Sequence, residues 1–241
     1  MRILVLSDIH ANLVALDAVL AAVGSVDAIW QLGDVVGYGP EPDGVVGRLH
    51  DLGATGVRGN HDAAALGGAE IEYFNVDARR AIEWTRTRLA PETRHWLADL
   101  PERQTNGAFT LVHGSPRDPT WEYLSTTREA QANLELLSTP NCLYGHTHLP
   151  LAFRAAEEGR IETIQPSDGS VVPLDERRLM ANPGSVGQPR DGDPRASALV
   201  LDLAARQLRW HRVPYDIAAT QAAMRAQHLP QRLVDRLIRG R

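Results

Sequence analysis

Lysine is absent from this sequence of 241 residues, cysteine occurs once, and no apolar run approaches the roughly 20 residues that a membrane span needs. All 25 basic residues are arginine and the formal net charge is −5, so no general positive field is available to hold nucleic acid. The single cysteine, Cys142, excludes an internal disulfide and a zinc site built from several thiolates. Any metal ligands are therefore Asp, Asn and His. Met1 leads directly into an apolar segment without leader-like features, and we expect a cytoplasmic protein that does not enter a membrane.

The first half of the sequence alternates short apolar segments with amphipathic ones, which predicts strands and helices in turn, and the first three strands indicate a βαβαβ half of a parallel sheet. The predicted strands cover residues 3–6, 28–32, 55–58, 109–112 and 141–144. The predicted helices cover residues 13–23, 45–52, 76–89, 92–100 and 127–137. Asn12 is expected to cap the first helix, and Thr126 or Thr127 the last. Residues 63–68 are rich in small side chains and are predicted to form a loop.

The second half has the spacing of short antiparallel strands that form a second sheet or extend the first. These strands are predicted at residues 151–154, 161–165, 170–174, 179–181, 197–202 and 207–212. A Gly- and Pro-rich segment lies between them at 182–194, and residues 215–239 are predicted to be a helical segment interrupted near Pro230. No long linker divides the chain, so we predict a single α/β domain over residues 1–241.

Polar residues of metal-ligand type follow each of the five strands predicted in the first half. Since functional groups gather outside the carboxyl ends of parallel strands, we expect them to converge. Asp8 and His10 would point the same way if the chain stays extended. Carboxylates and imidazoles without thiolates suit Mn²⁺, Fe²⁺, Zn²⁺, Ni²⁺ or Co²⁺, and the set is too large for one tetrahedral ion. The residues concerned are Asp8, His10, Asp34, Asn60, His61, His113, His146 and His148.

The order of these residues resembles that of the calcineurin-like metallophosphoesterases, which carry D-x-H, G-D, G-N-H-[DE], a later H and G-H-x-H. The resemblance extends over about residues 1–194, and the segments GDVVGYGP, LVHGSP and NPGSVGQPRDG are similar to those of compact prokaryotic members. It implies a four-layer α/β/β/α sandwich of two mixed β-sheets flanked by helices. The matching residues are Asp8-Ile9-His10, Gly33-Asp34, Gly59-Asn60-His61-Asp62, His113 and Gly145-His146-Thr147-His148.

The resemblance also implies the role of each residue. One metal ion would be held by Asp8, His10 and His148. The other would be held by Asn60, His113 and His146, with Asp34 bridging the two. His61 would protonate the leaving group or stabilise the phosphoryl charge. The implied reaction is attack of a metal-bridging hydroxide on a phosphodiester or phosphomonoester, with two divalent ions, for which Mn²⁺ is favoured over Fe, Zn, Ni or Co.

The sequence departs from the protein Ser/Thr phosphatases of this family after the bridging carboxylate. Those enzymes carry an Asp that orients the catalytic His and an Arg that grips phosphate, where this sequence has Gly37 and Tyr38. A protein phosphatase is therefore disfavoured, and the partner of His61 is not identified. The candidates for substrate binding are Tyr38, Arg58 and Arg190, with Arg117 and Arg195 also near motif loops.

Two other classes of function compete with a phosphoesterase. A non-catalytic metal-binding scaffold or regulator on the same fold is disfavoured because His61 and every candidate ligand are retained. A nucleic-acid-binding module has little support because the chain is acidic and lacks a basic and aromatic run. We expect a small phosphoester substrate, with nucleotides included. The sequence leaves the substrate, the native metals and homo-oligomerisation open, and Tyr38 with residues 70–75, 121–123 and 182–194 is expected to shape the cleft.

Overall fold

The computed structural model describes residues 1–68 and 71–241, and within these ranges the chain forms two β-sheets and their flanking helices. The strands are β1 (Arg2–Leu6), β2 (Ala28–Gln31), β3 (Thr55–Gly56), β4 (Arg103–Asn106), β5 (Phe109–Val112), β6 (Asn141–Leu143), β7 (Pro150–Ala155), β8 (Ile161–Ile164), β9 (Val171–Pro173), β10 (Leu179–Pro183), β11 (Ala196–Asp202) and β12 (Gln207–Val213). The α-helices are α1 (Leu13–Val23), α2 (Pro42–Asp51), α3 (Asn60–Ala65), α4 (Val76–Arg86), α5 (Pro91–Asp99), α6 (Thr127–Leu134), α7 (Ile217–Ala226) and α8 (Gln231–Arg236). Short 3₁₀ turns lie at Ile71–Tyr73, Glu157–Gly159 and Leu237–Arg239.

Both sheets have six strands and both are mixed. The first has the order β3-β2-β1-β11-β12-β9, in which β1, β2 and β3 are parallel and the other strands antiparallel. The second has the order β4-β5-β6-β10-β7-β8, with β5, β6 and β10 parallel. The predicted fold class is therefore confirmed. The strands of the second half were predicted to form a second sheet or to extend the first, and both occur. Strands β9, β11 and β12 extend the first sheet, and β7, β8 and β10 belong to the second.

The side chains of β1 show how the layers are stacked. Ile3 and Val5 belong to the apolar cluster between the two sheets, whereas Leu4 and Leu6 belong to the cluster under α1 and α2. This alternation is what a strand buried on both faces requires. On the outer face of the second sheet, α6 covers a separate apolar cluster that includes Phe153. Helices thus lie outside each sheet, in the order α/β/β/α.

The ends of two helices follow the predicted capping chemistry. The side chain of Asn12 accepts a hydrogen bond from the backbone N–H of Ala15 at 3.1 Å, and Gly24 ends α1. Thr126 and Glu129 form a capping box at the start of α6. Such caps satisfy N–H groups that the helix itself leaves unpaired, and each contributes about 1 kcal/mol.

Three predictions of secondary structure were wrong. Residues 63–65 belong to α3 and not to a loop, because an alanine run favours helix and Asp62 accepts the N–H of Gly59 at 2.9 Å. The third strand ends at Gly56, two residues earlier than predicted. Strand β4 was missed, because RQTN at the edge of the second sheet carries no apolar alternation.

The C-terminal helical segment lies over the edge of the sandwich and is interrupted at Pro230 as predicted. Leu233, Val234 and Leu237 are buried in a cluster that also contains Tyr38 and Phe74. The segment therefore packs directly on the loop that follows β2. In the described ranges, no helix is both long and apolar enough to span a membrane.

Candidate metal centre

The predicted ligands all lie where strands of the two sheets end. Loops after β1 and β2 carry Asp8, His10 and Asp34, and the first residues of α3 are Asn60 and His61. Loops after β5 and β6 in the other sheet carry the remaining three histidines. The side chains of the eight residues are buried, with at most 4% of each exposed. They are Asp8, His10, Asp34, Asn60, His61, His113, His146 and His148.

Seven of these residues form two groups that share one carboxylate. The ligand atoms of Asp8, His10, Asp34 and His148 lie within 4.8 Å of one another, and so do those of Asp34, His113 and His146. Oδ2 of Asp34 lies 3.6 Å from Nε2 of His10 and 3.4 Å from Nε2 of His113. In the second group, Oδ1 of Asn60 lies 3.0 Å from the same nitrogen of His113. The structure therefore brings together every residue that was predicted to bind metal.

The tautomers of three histidines follow from their backbone contacts. Nδ1 of His10, His113 and His148 lies 3.2, 2.8 and 2.6 Å from the carbonyl oxygens of Val36, Leu32 and Gln188, respectively. Because a carbonyl only accepts hydrogen bonds, each Nδ1 carries the proton, and in a neutral ring Nε2 presents its lone pair to the cluster. Backbone carbonyls orient metal-binding histidines in this way.

Pairs of acceptor atoms face one another in the cluster. Nε2 of His10 lies 3.2 Å from Nε2 of His148, and Nε2 of His113 lies 3.1 Å from Nδ1 of His146. In the described part of the chain, Oδ1 of Asp8 and Nε2 of His146 are buried without a hydrogen-bond partner. Such contacts repel when both atoms are unprotonated unless a cation lies among them, so the donor set fits divalent metal ions. A cation would also favour the Asn60 amide with its oxygen inward, whereas the opposite orientation would let its nitrogen donate to His113.

The protonation states of the cluster, apart from that of His113, are those that cation binding requires. Burial opposes ionisation of Asp8 and Asp34, but the neighbouring histidines outweigh it and hold the pKa of both carboxyls well below the usual range. Burial lowers the pKa of His146 to about 3. At His113 burial is outweighed by the carboxylate of Asp34, which raises the pKa to about 9. Metal binding at this residue therefore displaces a proton.

Several ligands sit on strained backbone, which the sequence reasoning did not foresee. The φ angles of Asp8, His10, Asp34, His146 and His148 lie between 49° and 65°, in the left-handed region. The chain after β1 is therefore not extended, and the prediction that alternation aims its two ligands was wrong. Each such residue costs about 1–3 kcal/mol, a cost that the surrounding structure must offset.

Cross-braces between loops hold this strained backbone. The backbone N–H groups of Asp8 and His10 donate to the carbonyls of Gly33 and Asp34 at 3.1 and 2.9 Å. From the Gly- and Pro-rich segment, the hydroxyl of Ser185 donates to the carbonyl of Asp8 at 2.7 Å, and the N–H of Gly187 donates to the same oxygen at 3.0 Å. The segment therefore braces the centre, a role that its turn-rich sequence alone did not reveal.

His61 lies beside the cluster and is held by contacts different from those of the ligands. Its backbone N–H donates to Oδ1 of Asp34 at 2.9 Å, and its ring packs 4.3 Å from Tyr38 and 4.8 Å from Phe74. Burial lowers the pKa of His61 to about 4. Its Nδ1 has no hydrogen-bond partner among the described residues. At Gly37, where φ is +86°, an added Cβ would lie 2.5 Å from this Nδ1. A side chain at position 37 would collide with His61 as it now sits.

A cleft of about 1000 Å³ opens over the centre. Asp34, His61 and His146 lie at its floor, and Tyr38 and Arg190 line it as predicted. One wall is aromatic, and the wall formed by the C-terminal segment carries four arginines. The residues of the aromatic wall are Tyr73, Phe74, Trp121 and Tyr123. The other wall, the basic wall, carries Arg232, Arg236, Arg239 and Arg241. The sequence reasoning missed this basic wall, and Glu70 of the predicted cleft region lies outside the described residues.

Three of the arginines considered for phosphate binding lie elsewhere. Arg58 donates to the carbonyl of Ala98 at 3.4 Å and lies 3.7 Å from a carboxylate oxygen of Glu102. Arg117 pairs with Glu122, and Arg195 pairs with Asp193. These arginines do not line the cleft. The prediction that Arg58 binds substrate is therefore corrected, because the carboxylate and carbonyl next to α5 hold its guanidinium away from the centre.

Two mixed sheets bring buried Asp, Asn and His side chains together at one edge, an arrangement that fits divalent metal ions. The chain belongs to the calcineurin-like phosphoesterase superfamily, whose domain matches residues 1–206, and it is a phosphoric ester hydrolase. A metallophosphoesterase from Sphaerobacter thermophilus is 48% identical, with a TM-score of 0.92 over 100% of this chain and 99% of that one. The uncharacterized protein MJ0912 of Methanocaldococcus jannaschii is 35% identical over 99% of this chain and 98% of its own length. Phosphodiesterase YfcE of Escherichia coli is 29% identical over 84% of this chain and 88% of its own.

Proposed function

We propose that this protein hydrolyses phosphodiesters, and phosphomonoesters more slowly, in small molecules that include nucleotides. The observation that carries the proposal is the carboxylate of Asp34, which is common to two groups of buried ligand atoms. One divalent ion would be held by Asp8, His10 and His148, and Asp34 would reach both ions. The other would be held by Asn60, His113 and His146. Similarity to phosphodiesterase YfcE supports the preference for diesters.

Bound divalent ions would supply an activated water as nucleophile and neutralise charge on the phosphoryl oxygens, and Mn²⁺ is the ion we propose. The chain's own residues supply the rest. His61 lies beside Asp34 in the cleft, where it would donate a hydrogen bond to a phosphoryl or leaving-group oxygen. The guanidinium of Arg190, whose NH2 lies 3.5 Å from the hydroxyl of Tyr38, would hold another phosphoryl oxygen.

The test is hydrolysis of bis-p-nitrophenyl phosphate and of p-nitrophenyl phosphate by protein that has been stripped of metal and reloaded with Mn²⁺, Fe²⁺, Zn²⁺, Ni²⁺ or Co²⁺. We expect turnover of the diester at two equivalents of Mn²⁺ per chain, with slower turnover of the monoester. Lack of turnover of both esters with every metal would contradict the proposal, and saturation at one equivalent would contradict its dinuclear form. A cytoplasmic location and a single domain over residues 1–241 stay predictions of the sequence.

A further inference from the structure

The basic wall of the cleft is formed by a part of the chain that the family domain does not include. The domain match ends at residue 206, whereas the arginines of this wall come from residues 232–241. They line the same cleft as Asp34 and His61. The basic wall therefore lies outside the matched domain, and it faces whatever the metal centre binds.

Packing and hydrogen bonds fix the position of this wall. Leu233 and Leu237 are buried beside Tyr38, which contacts His10. The N–H of Gly192 donates to the carbonyl of Gly240 at 2.8 Å. Gly240 has a φ of +60°, and an added Cβ would lie 2.6 Å from the backbone of Asp193. The last residues are thus anchored to the segment that braces the metal centre, and their arginines are held at the mouth of the cleft.

The arginines of the wall have no Asp or Glu side chain as an ion-pair partner in the described part of the chain. Within the described ranges, no Asp or Glu side-chain oxygen lies within 4.0 Å of the guanidinium groups of the basic wall or of Arg190, and Nε of Arg236 donates to the main-chain oxygen of Arg241 at 2.6 Å. Asp77 and Asp235 also line the cleft, and Asp235 accepts a hydrogen bond from Gln231 at 2.7 Å. Burial and the nearby charge of Arg190 lower the pKa of Arg236 to about 10, so it stays charged at neutral pH.

A line of positive charge therefore runs from the metal centre to the rim. Arg190 lies 5.9 Å over the ring of Tyr38, whose ring centroid is 4.6 Å from that of His10. Nε of Arg190 is buried and has no hydrogen-bond partner in the part of the chain that is described. Like charges held close together repel, and a bound polyanion would relieve this repulsion.

The aromatic wall presents ring faces to the same cleft. Tyr73 is 71% exposed and lies edge to face with Trp121 at 5.7 Å. Tyr123 is 52% exposed and stacks on His146 at 4.0 Å. Large exposed aromatic side chains that line one cavity with arginines offer stacking surfaces for a planar base. The cleft thus combines a place for a base, a place for the reacting phosphate and a separate basic wall.

We propose that Arg232, Arg236, Arg239 and Arg241 form a second anion subsite, which binds a phosphate group of the substrate other than the one at the metal centre. This inference rests on the proposed function and deepens it. The substrate class is a nucleotide ester that carries a second phosphate group, with its base against the aromatic wall.

The test compares two chromogenic esters that differ only by one phosphate, thymidine 5′-(p-nitrophenyl phosphate) and its 3′-phosphorylated counterpart. With Mn²⁺-loaded wild-type protein, kcat/KM is expected to be about 10-fold or more higher for the 3′-phosphorylated ester, chiefly through KM. The preference should weaken as ionic strength rises. Arg239→Ala/Arg241→Ala should reduce the ratio of the two kcat/KM values towards 1. The ratio is insensitive to partial misfolding, because both esters report on the same protein sample.

The matched control is Arg128→Ala/Arg225→Ala, which removes two exposed arginines that do not line the cleft. This double variant has the same net charge as Arg239→Ala/Arg241→Ala and should keep the wild-type ratio. A wild-type ratio near 1, or a ratio that Arg239→Ala/Arg241→Ala leaves unchanged, would overturn the second subsite while turnover of the simpler ester upholds the proposed function. Loss of the preference in the control as well would also overturn it, by showing that net charge alone is responsible. Lack of turnover of both esters by the metal-loaded wild type would instead overturn the proposed function and with it the subsite.

Discussion

The floor of the cleft differs in burial and in backbone strain from its rim, which is formed by the aromatic wall and the basic wall. On the floor, Asp8, Asp34 and His113 are buried, their orientations are fixed by neighbouring loops, and much of the nearby backbone is in the left-handed region. On the rim, Tyr73 and Arg239 are exposed and belong to short 3₁₀ turns. On the floor, strained backbone holds the metal-ligand atoms in place. On the rim, charges and ring faces are exposed and available to a bound substrate.

This difference separates chemistry from selectivity. The floor belongs to the domain that the chain shares with its superfamily, and the basic wall of the rim lies beyond residue 206. Changes to the floor should therefore alter turnover of every ester, and changes to the rim should alter only the ranking of esters. Four substitutions test this division, two at side chains of the floor and two at glycines, one beside His61 and one at the anchor of the basic wall.

The largest effect is expected for Asp34→Ala, because this carboxylate is common to both groups of ligands. Both ions should bind more weakly, and turnover of bis-p-nitrophenyl phosphate should fall by about 10³-fold or more, since bound ions contribute several kcal/mol to such reactions. Metal content and turnover are measured together. Asp51→Ala, at a side chain that is 79% exposed, is the control and should match the wild type. Retention of two tightly bound ions by Asp34→Ala would contradict the bridging role.

His61→Ala should lower turnover and leave the metals bound. His61 is not a member of either ligand group, but it lies next to Asp34 in the cleft. Loss of a positioned acid or hydrogen-bond donor typically costs about 10²–10⁴-fold in kcat. His50→Ala removes an exposed histidine from α2 and should have no effect. If His61→Ala loses metal in proportion to activity, His61 acts as a ligand and the division of roles is wrong.

The sequence was sufficient to identify the floor because strand periodicity and ligand chemistry are local signals. Apolar segments that end in Asp8, Asp34 or His113 predict both the strand and the place where it ends. The order of the motifs then indicated the family. What the sequence did not reveal is how the ligands are aimed, because left-handed backbone at Asp8 and His10 depends on braces from other loops of the chain.

The rim could not be predicted from local patterns. Arg58 lies as close in sequence to a motif as Arg190 does, yet its guanidinium is held at α5 while that of Arg190 reaches the cleft. The arginines of α8 and the residues after it are far from every motif, and only the packing of Leu233 and Leu237 brings them over the centre. An apolar face predicts that a helix packs against the rest of the chain, but it does not specify the surface against which the helix packs.

Gly37→Ala tests whether the floor depends on the position of His61 as well as its presence. An added Cβ would lie 2.5 Å from Nδ1 of His61, so the ring must move. A displacement of about 1 Å at a catalytic group can cost about 10²-fold in rate, and metal content should be unchanged. Gly53→Ala is the control, because Gly53 has a φ of +63° but nothing within 4 Å of its added Cβ. If Gly37→Ala and Gly53→Ala lose the same fraction of wild-type activity, the loss comes from backbone strain alone and not from displacement of the His61 ring.

The smallest effect is expected for Gly240→Ala, which disturbs the anchor of the basic wall and leaves every arginine in place. The added Cβ would collide with the backbone of Asp193, and the strain of about 1–3 kcal/mol should partly release the last residues. The preference for the 3′-phosphorylated thymidine ester should then fall about fivefold, a change of about 1 kcal/mol. Gly159→Ala, with a φ of +70° and nothing within 4 Å, is the matched control. An unchanged preference in Gly240→Ala would show that the wall does not need this anchor. A uniform loss with both esters would instead show that the C-terminal residues support the metal centre itself, and the separation of rim from floor would no longer hold.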